Sequence, residues 1–374
     1  MNLKNGIYDF TAAATGNLVL EILNRFCQSA EDEISRNHVS WVALRPIDDK
    51  EVKYALADEL VHLARKTWSM MIDPKGKIPI THDVYLKLWA LSEPVIHKDF
   101  ILFDEAQDAN AVMLGLVCAQ DAQKIFVGDR YQQIYSWRGA VNAMQTIDTI
   151  HECKISQSFR FGQKVADVAN SILNNQLGAD VHIRGFDKID SSIGFVGTPD
   201  AILCRTNSTL IDTLINRLSL GDTVAVAGGC CDMLSLLKGA KELMSGQRTN
   251  QRDLALFETW SEVVEFSESD AGSDLAPTVN LIKNYDIDNL ISSLNKTNKI
   301  READADIILS TAHKSKGREW STVKLADDFR HPDSKGYSEE ETNLLYVAAT
   351  RAVDRLDITE CEAAQEAMTE KVED

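Results

Sequence analysis

The stretch "ILFDEAQD", Ile101–Asp108, passes from an apolar run into a cluster of carboxylates. Two readings are open. A strand can end in a solvated turn. Alternatively, Asp104 and Glu105 stand at a strand's carboxyl end, where one holds a divalent cation and the other directs a water molecule. "FILF" lacks the alternation of a half-exposed strand, so it reads as a buried one. "NAVMLGLVCAQ" follows as a helix and "QKIFVGD" as a second buried strand. That alternation implies a parallel sheet with working residues at the strand carboxyl ends.

Upstream, residues 1–95 read as mostly helical. "KEVKYALADELVHLARKTWSMMID" repeats apolar residues at helical spacing until "PKG" breaks it, and "DVYLKLWALS" is another helix. Downstream, a second alternating unit spans 151–221 and 301–361. "SQSFRFGQKVADVANSILN" enters a helix, "DAILCRTN" is a strand and "TLIDTLINRL" a helix. "ADIILSTAH" and "STVKLADDF" are strands and "EEETNLLYVAATRAV" a helix. Residues 222–300 read as an inserted helical subdomain and 362–374 as an acidic tail. No repeats are visible.

The chain has 374 residues, enough for two or more domains, with 44% hydrophobic and 26% charged content. No run of about 18 apolar residues offers a membrane span. "MNLKNGIYDF" lacks the apolar core of a secretory signal. Seven scattered cysteines without a C-x-x-C suggest reduced, cytoplasmic thiols in the core. A net charge of −18 argues against a general polyanion binder but leaves room for a local basic groove.

The second strand ends in "GDRYQQIYSWRGA", Gly128–Ala140. Gln132 is placed to sense a terminal phosphate, and Tyr135 and Trp137 beside Arg138 can stack on unpaired bases and contact phosphate. A lone aromatic of this kind is usually core; the ordered string is harder to read that way. Lys314, Lys316 and Arg318 can be a solvated charge run, but their place after a strand favours a nucleic-acid or nucleotide contact.

"DEAQD" and "GDRYQQIYSWRGA" resemble motifs II and III of superfamily-one DNA helicases of the UvrD/Rep type. "SQSFRF", "ILCRTN", "TAHKSKGREW" and "NLLYVAATRA" follow in family order and resemble motifs IV, IVa, V and VI. The wording is most similar to the F-box DNA helicase branch and its bacterial relatives, although no F-box is seen. The resemblance covers about residues 15–360 and implies an α/β protein with two RecA-like P-loop NTPase lobes and helical insertions. Residues 1–95 would be a first-lobe remnant with a helical insertion, and 96–150 the rest of that lobe. Residues 151–221 and 301–361 would be the second lobe, interrupted by 222–300.

The resemblance also implies roles. Asp104 would hold Mg²⁺ and Glu105 would be general base. Gln132 would contact the γ-phosphate, Phe159 would stack on adenine, and Gly317 and Glu319 would border the nucleotide, with Glu319 on the ribose. Arg160 and Arg351 would be arginine fingers. Tyr135, Trp137, Arg138, His313 and Lys316 would meet single-stranded or partly unwound DNA. The activity implied is ATP hydrolysis coupled to 3′-to-5′ movement, as in DNA repair or recombination.

The family's Walker A loop, G-x-x-x-x-G-K-[ST], is not found in the 374 residues. "DPKGKIPIT" has Gly76 and Lys77 without the second glycine or the following hydroxyl. The chain therefore reads as starting after that loop, with an incomplete first lobe. Losing several charge-assisted contacts of about 1.5–3 kcal/mol each predicts a weak or dead ATPase alone. Three possibilities follow: a truncated or split motor, one half of a two-chain motor whose Walker A half is a separate polypeptide, or a non-catalytic DNA-binding or regulatory module.

Overall fold

In the computed structural model, residues 3–369 are described apart from 6, 7, 11, 42, 45, 46, 137, 138, 180, 252, 256, 269–274, 335 and 336. The chain divides into two compact units. One comprises 1–129, 135–147 and 239–279; the other comprises 130–134, 148–238 and 280–374.

The first unit opens with an antiparallel pair, β1 (Leu3–Asn5) and β2 (Tyr8–Phe10). Three helices follow: α1 (Ala12–Gln28), α2 (Lys50–Ile72) and α3 (His82–Leu91). Leu18, Ile22 and Phe26 recur at helical spacing on α1 and pack with Leu56, Leu60 and Ala64 of α2 and Val84 of α3 in one core. Asp49 caps α2 by accepting from the Glu51 and Val52 amides at 2.8 and 3.2 Å. At the far end "PKG" turns the chain, with the Gly76 amide on the Asp73 carbonyl at 2.7 Å.

Next come β3 (Phe100–Phe103), α4 (Ala111–Cys118), β4 (Gln123–Phe126) and the short α5 (Ala143–Thr146). β3 and β4 pair in parallel, Leu102 opposite Ile125. Neither strand is buried, contrary to the reading of "FILF" and "QKIF". Phe100 and Leu102 are 58% and 64% exposed, and Ile125 and Val127 are exposed on the same side. Among the described residues this sheet has two strands, and the face bearing these side chains is open.

The second unit begins with α6 (Gln163–Ser171), continued by a π-helical turn at Ile172–Gln176. Then come β5 (Ser192–Ile193), β6 (Ala201–Cys204), α7 (Asn207–Ser219) and β7 (Val224–Val226). α8 (Cys231–Met244), α9 (Trp260–Ser267), α10 (Ala276–Asn284) and α11 (Ile287–Thr297) follow. β8 (Ile307–Thr311), α12 (Ala312–Ser315), β9 (Trp320–Leu325), α13 (Glu339–Ala349), β10 (Ala352–Asp357) and α14 (Glu362–Met368) complete the chain.

Among the described residues, this unit's six strands lie in the order β5-β10-β9-β6-β8-β7, all parallel. β6 is buried along its length, as its unbroken apolar sequence requires. The stretch 222–300 is not wholly helical, because β7 occupies the sheet edge. It is also divided, since 239–279 group with the first unit. Residues 362–368 form a helix that buries Ala363, Ala364 and Ala367. Of the seven free cysteines, Cys27, Cys204, Cys230 and Cys361 are buried, whereas Cys118, Cys153 and Cys231 are exposed. Among the described residues no helix is long and apolar enough to cross a membrane.

Candidate functional site

In the first unit, an acidic candidate cluster is built where β3 ends. Asp104 and Glu105 are both exposed. Glu105 adopts a left-handed backbone, φ 51° and ψ 39°, which turns the chain sharply out of the strand. The turn is fastened on both sides. Glu105 N donates to Asp104 Oδ1 at 2.9 Å, Ala106 N to Val127 O at 3.0 Å, and Asp108 N to Glu105 O at 2.9 Å.

Gln107 beneath it is fully buried. Its Nε2 donates to Glu105 Oε2 at 2.6 Å, and its Oε1 accepts from Asp129 N at 3.1 Å. Gly128 leaves room for that amide: a Cβ there would lie 2.2 Å from Gln107 Oε1. The sequence pointed to neither residue. Gln107 lies inside the quoted motif, but its partner is visible only once β3 and β4 are paired.

No group of three or more His, Cys, Asp or Glu is arranged to hold a metal among the described residues. The exposed strand-end carboxylate of Asp104 still suits Mg²⁺, which commonly takes one or two carboxylates and completes its shell with water and phosphate oxygens.

The second unit carries an aromatic and basic cluster. Phe159 is 71% exposed and meets Phe186 edge-on, with ring centroids 5.4 Å apart. Next to it, Arg160 Nε donates to Glu319 Oε2 at 3.0 Å. Because β6 and β8 are parallel with Cys204 opposite Thr311, the loops "RTN" and "HKSKGRE" leave the sheet at the same end. Thr311 caps α12, with its Oγ1 accepting from Lys314 N at 3.4 Å. Gly317 turns the loop at φ 79°. Arg318 then grips Glu302 through two contacts, 2.9 and 2.7 Å.

Gln132 belongs to this unit and is brought to motif V: Lys316 Nζ donates to its carbonyl at 2.7 Å, and Asn343 Nδ2 donates to Gln133 O at 3.0 Å. Burial pushes the His313 imidazole below its usual range; Glu340 pulls the other way, Arg205 adds to the lowering, and Glu341 and a hydrogen bond with the Ile134 backbone oppose it. Arg351 is only 1% exposed. Its guanidinium donates to Val347 O at 2.8 Å, Thr350 Oγ1 at 3.0 Å and Arg318 O at 3.3 Å. Tyr135 lies in the first unit and opens a turn in which Ala140 N reaches its carbonyl at 3.3 Å. Trp137 and Arg138 fall outside the described residues.

The "CRTN" loop has its own scaffold, which the sequence did not disclose. Asp328 accepts from the amides of Arg205 and Thr206, both at 2.8 Å, and the Arg205 side chain forks onto Glu341 at 2.6 and 2.5 Å.

Each unit is thus mixed α/β with parallel strands: adjacent carboxylates end β3 in the first, and in the second an open aromatic and Arg160 lie ahead of α6 and Arg351 ahead of β10. Two family models match the chain: a UvrD/REP helicase N-terminal domain at residues 89–151 and a UvrD-like helicase C-terminal domain at 237–363. The chain belongs to the UvrD-like helicase family. It is 33% identical over 398 residues to F-box DNA helicase protein 1 of Schizosaccharomyces pombe, covering 95% of this chain and 44% of that protein. It is 29% identical over 375 residues to F-box DNA helicase 1 of Gallus gallus, covering 90% of this chain and 37% of that protein. A probable DNA helicase II homolog of Mycoplasma pneumoniae is 41% identical over 86 residues, 20% of this chain and 12% of that protein. The chain thus spans less than half the length of these relatives.

Proposed function

We propose that this chain is the motor portion of an ATP-dependent DNA helicase that couples ATP hydrolysis to movement along single-stranded DNA. The observation that carries the reading is the grouping of Phe159, Arg160 and Glu319: an exposed ring, a guanidinium and the carboxylate it pairs with, drawn from the loop ahead of α6 and the residue ahead of β9. Phe159 offers a face for adenine. Arg160 is held by a surface ion pair of a kind worth about 0–1 kcal/mol, so exchanging Glu319 for phosphate costs little. The same exchange frees Glu319 for a ribose hydroxyl.

Asp104 would hold Mg²⁺, which supplies charge neutralisation on phosphate oxygens. Glu105 would take the proton of the attacking water, and Gln132 would contact the γ-phosphate. Arg351 would add a second positive charge after leaving its carbonyl partners. Tyr135, Trp137, Arg138, His313 and Lys316 would meet the DNA strand, with movement in the 3′-to-5′ sense. Lys316 would then have to share its ammonium with Gln132 O or leave it. Repair and recombination are the settings in which such a motor fits.

In this reading the phosphate grip is supplied from outside these 374 residues. The test is DNA-stimulated ATP turnover of the chain alone and mixed with a Walker A-bearing N-terminal segment of a relative. Low turnover alone, a rise on mixing and its loss in Glu105→Gln are expected. Turnover alone at an ordinary helicase rate would refute the split-site reading. A second reading, a non-catalytic DNA-binding module, is favoured by the burial of Arg351. Tight DNA binding with no turnover in either arrangement would select it.

A further inference from the structure

We propose that Gln107 is a positioning residue that ties the Glu105 carboxylate to the turn after β4, so that the two respond together. The proposal rests on Glu105 being the general base; the coupling itself stands on geometry alone. Gln107 has a carboxamide with one donor end and one acceptor end, and both are used. The Asp129 amide can only donate, so it fixes Oε1 on its side. That leaves Nε2 facing Glu105, where a carboxylate oxygen is the acceptor it meets. The orientation is therefore set by chemistry at both ends.

Other side chains would not serve. A glutamate would set a carboxylate against Glu105, and an apolar residue would leave the Asp129 amide without this acceptor. The surroundings are specific too. Gly128 admits the amide, since a Cβ would fall 2.2 Å from Oε1 and 3.2 Å from the Ala106 nitrogen. Glu105 holds a backbone conformation uncommon outside glycine, φ 51°. A residue so placed is fixed by its surroundings, and the Gln107 bond adds the side chain to what is fixed. A displacement of the Glu105 carboxylate moves the acceptor of the Gln107 amide. Through Oε1 it alters the backbone at Asp129, three residues before Gln132 in the chain. A merely structural glutamine would hold the turn without carrying that message.

The test uses the full chain, labelled with ¹⁵N, and follows the Asp129 amide and the Gln107 side-chain amide by NMR. Glu105→Gln should move both resonances. Gln107→Met should make Asp129 exchange its amide about tenfold faster, the loss of one hydrogen bond. In the Gln107→Met background, Glu105→Gln should no longer move Asp129. Gly128→Ala breaks the relay from the other side and should likewise uncouple Asp129 from Glu105→Gln. An Asp129 resonance that ignores Glu105→Gln in the otherwise unaltered chain overturns the proposal, whatever turnover does.

Turnover with the Walker A segment separates the two claims. A lower kcat at unchanged KM in Gln107→Met supports positioning. Full activity of Gln107→Met when Glu105→Gln is dead overturns the positioning role. Full activity of Glu105→Gln instead removes the base reading and leaves the NMR coupling standing.

Discussion

Lys87 is an ammonium inside a helical core. Its Nζ donates to the carbonyls of Ser29 and Glu31 at 2.8 and 2.5 Å and lies 4.5 Å from the Phe26 ring centroid. Burial pushes its pKa below the usual lysine range, while Asp32, Cys27 and Glu31 pull the other way. Two effects compete in Lys87→Met. Removing a buried charge relieves desolvation. Removing the donor leaves two carbonyls that end α1 and begin its loop without that partner, at about 1–3 kcal/mol per buried group. Ser29 and Glu31 are only half-buried, so water can replace the ammonium in part; a net destabilisation of about 1–3 kcal/mol is expected, read as a lower urea midpoint. An unchanged or raised midpoint would show that desolvation dominates. Beside it, burial holds His38 below the ordinary histidine value; Glu31 and the Ser35 backbone oppose this, and Lys87 and Arg25 add to it. The folded imidazole therefore refuses a proton that the unfolded chain accepts. Its stabilisation is complete above about pH 6.5 and is lost as pH falls toward the depressed folded value. His38→Gln should flatten the stability slope between neutral and mildly acid pH relative to the parent, measured by urea midpoints.

At the scale of elements, α14 is seven residues long, too short to persist alone. The π-helical turn after α6 reaches its carbonyls: Asn175 Nδ2 donates to Ala367 O at 2.8 Å and Gln176 Nε2 to Ala363 O at 3.1 Å. Asn175→Ala with Gln176→Ala should raise amide exchange through 362–368 while β6 and β8 keep their protection. Equal loosening of those strands would mean that α14 is integral to the sheet's stability. This attachment was illegible in the sequence, where 362–374 read as an acidic tail. Its partners lie almost two hundred positions away, and the charge pattern hid the small apolar face of Ala363, Ala364 and Ala367. β7 was missed because three residues, "VAV", are too few to show a period. "FILF" was legible as a strand from composition, but its burial was not, since that depends on what covers the sheet. The long helices α2, α7 and α13 were legible because their apolar spacing repeats several times. Of the site, residue types and order could be read; Gln107 to Asp129 and Arg351 to its carbonyls could not, because hydrogen-bond partners follow from strand register and side-chain direction.

For the whole molecule, net charge sets a limit on how DNA can be held. The chain carries −18, and several cations of the candidate site are already engaged: Arg160 with Glu319, Arg318 with Glu302, Lys316 with the Gln132 carbonyl. A strand entering there must compete with these partners for its phosphate contacts. If Lys316 and Arg138 supply about two phosphate contacts, while burial keeps the His313 imidazole mostly neutral so that it adds no charge, log K for single-stranded DNA should fall against log salt with a slope of about −1.4, from about −0.7 per contact. Most of the remaining affinity would come from stacking on Tyr135 and Trp137, at about 1–3 kcal/mol per base, which salt weakens little. Binding isotherms of a labelled oligonucleotide across a salt series give both quantities. Trp137→Ala should then weaken binding at every salt concentration without changing the slope, whereas Lys316→Ala should make the slope shallower. A slope several times steeper would place the DNA on a basic surface other than these residues, and Trp137→Ala without effect would remove the stacking contribution.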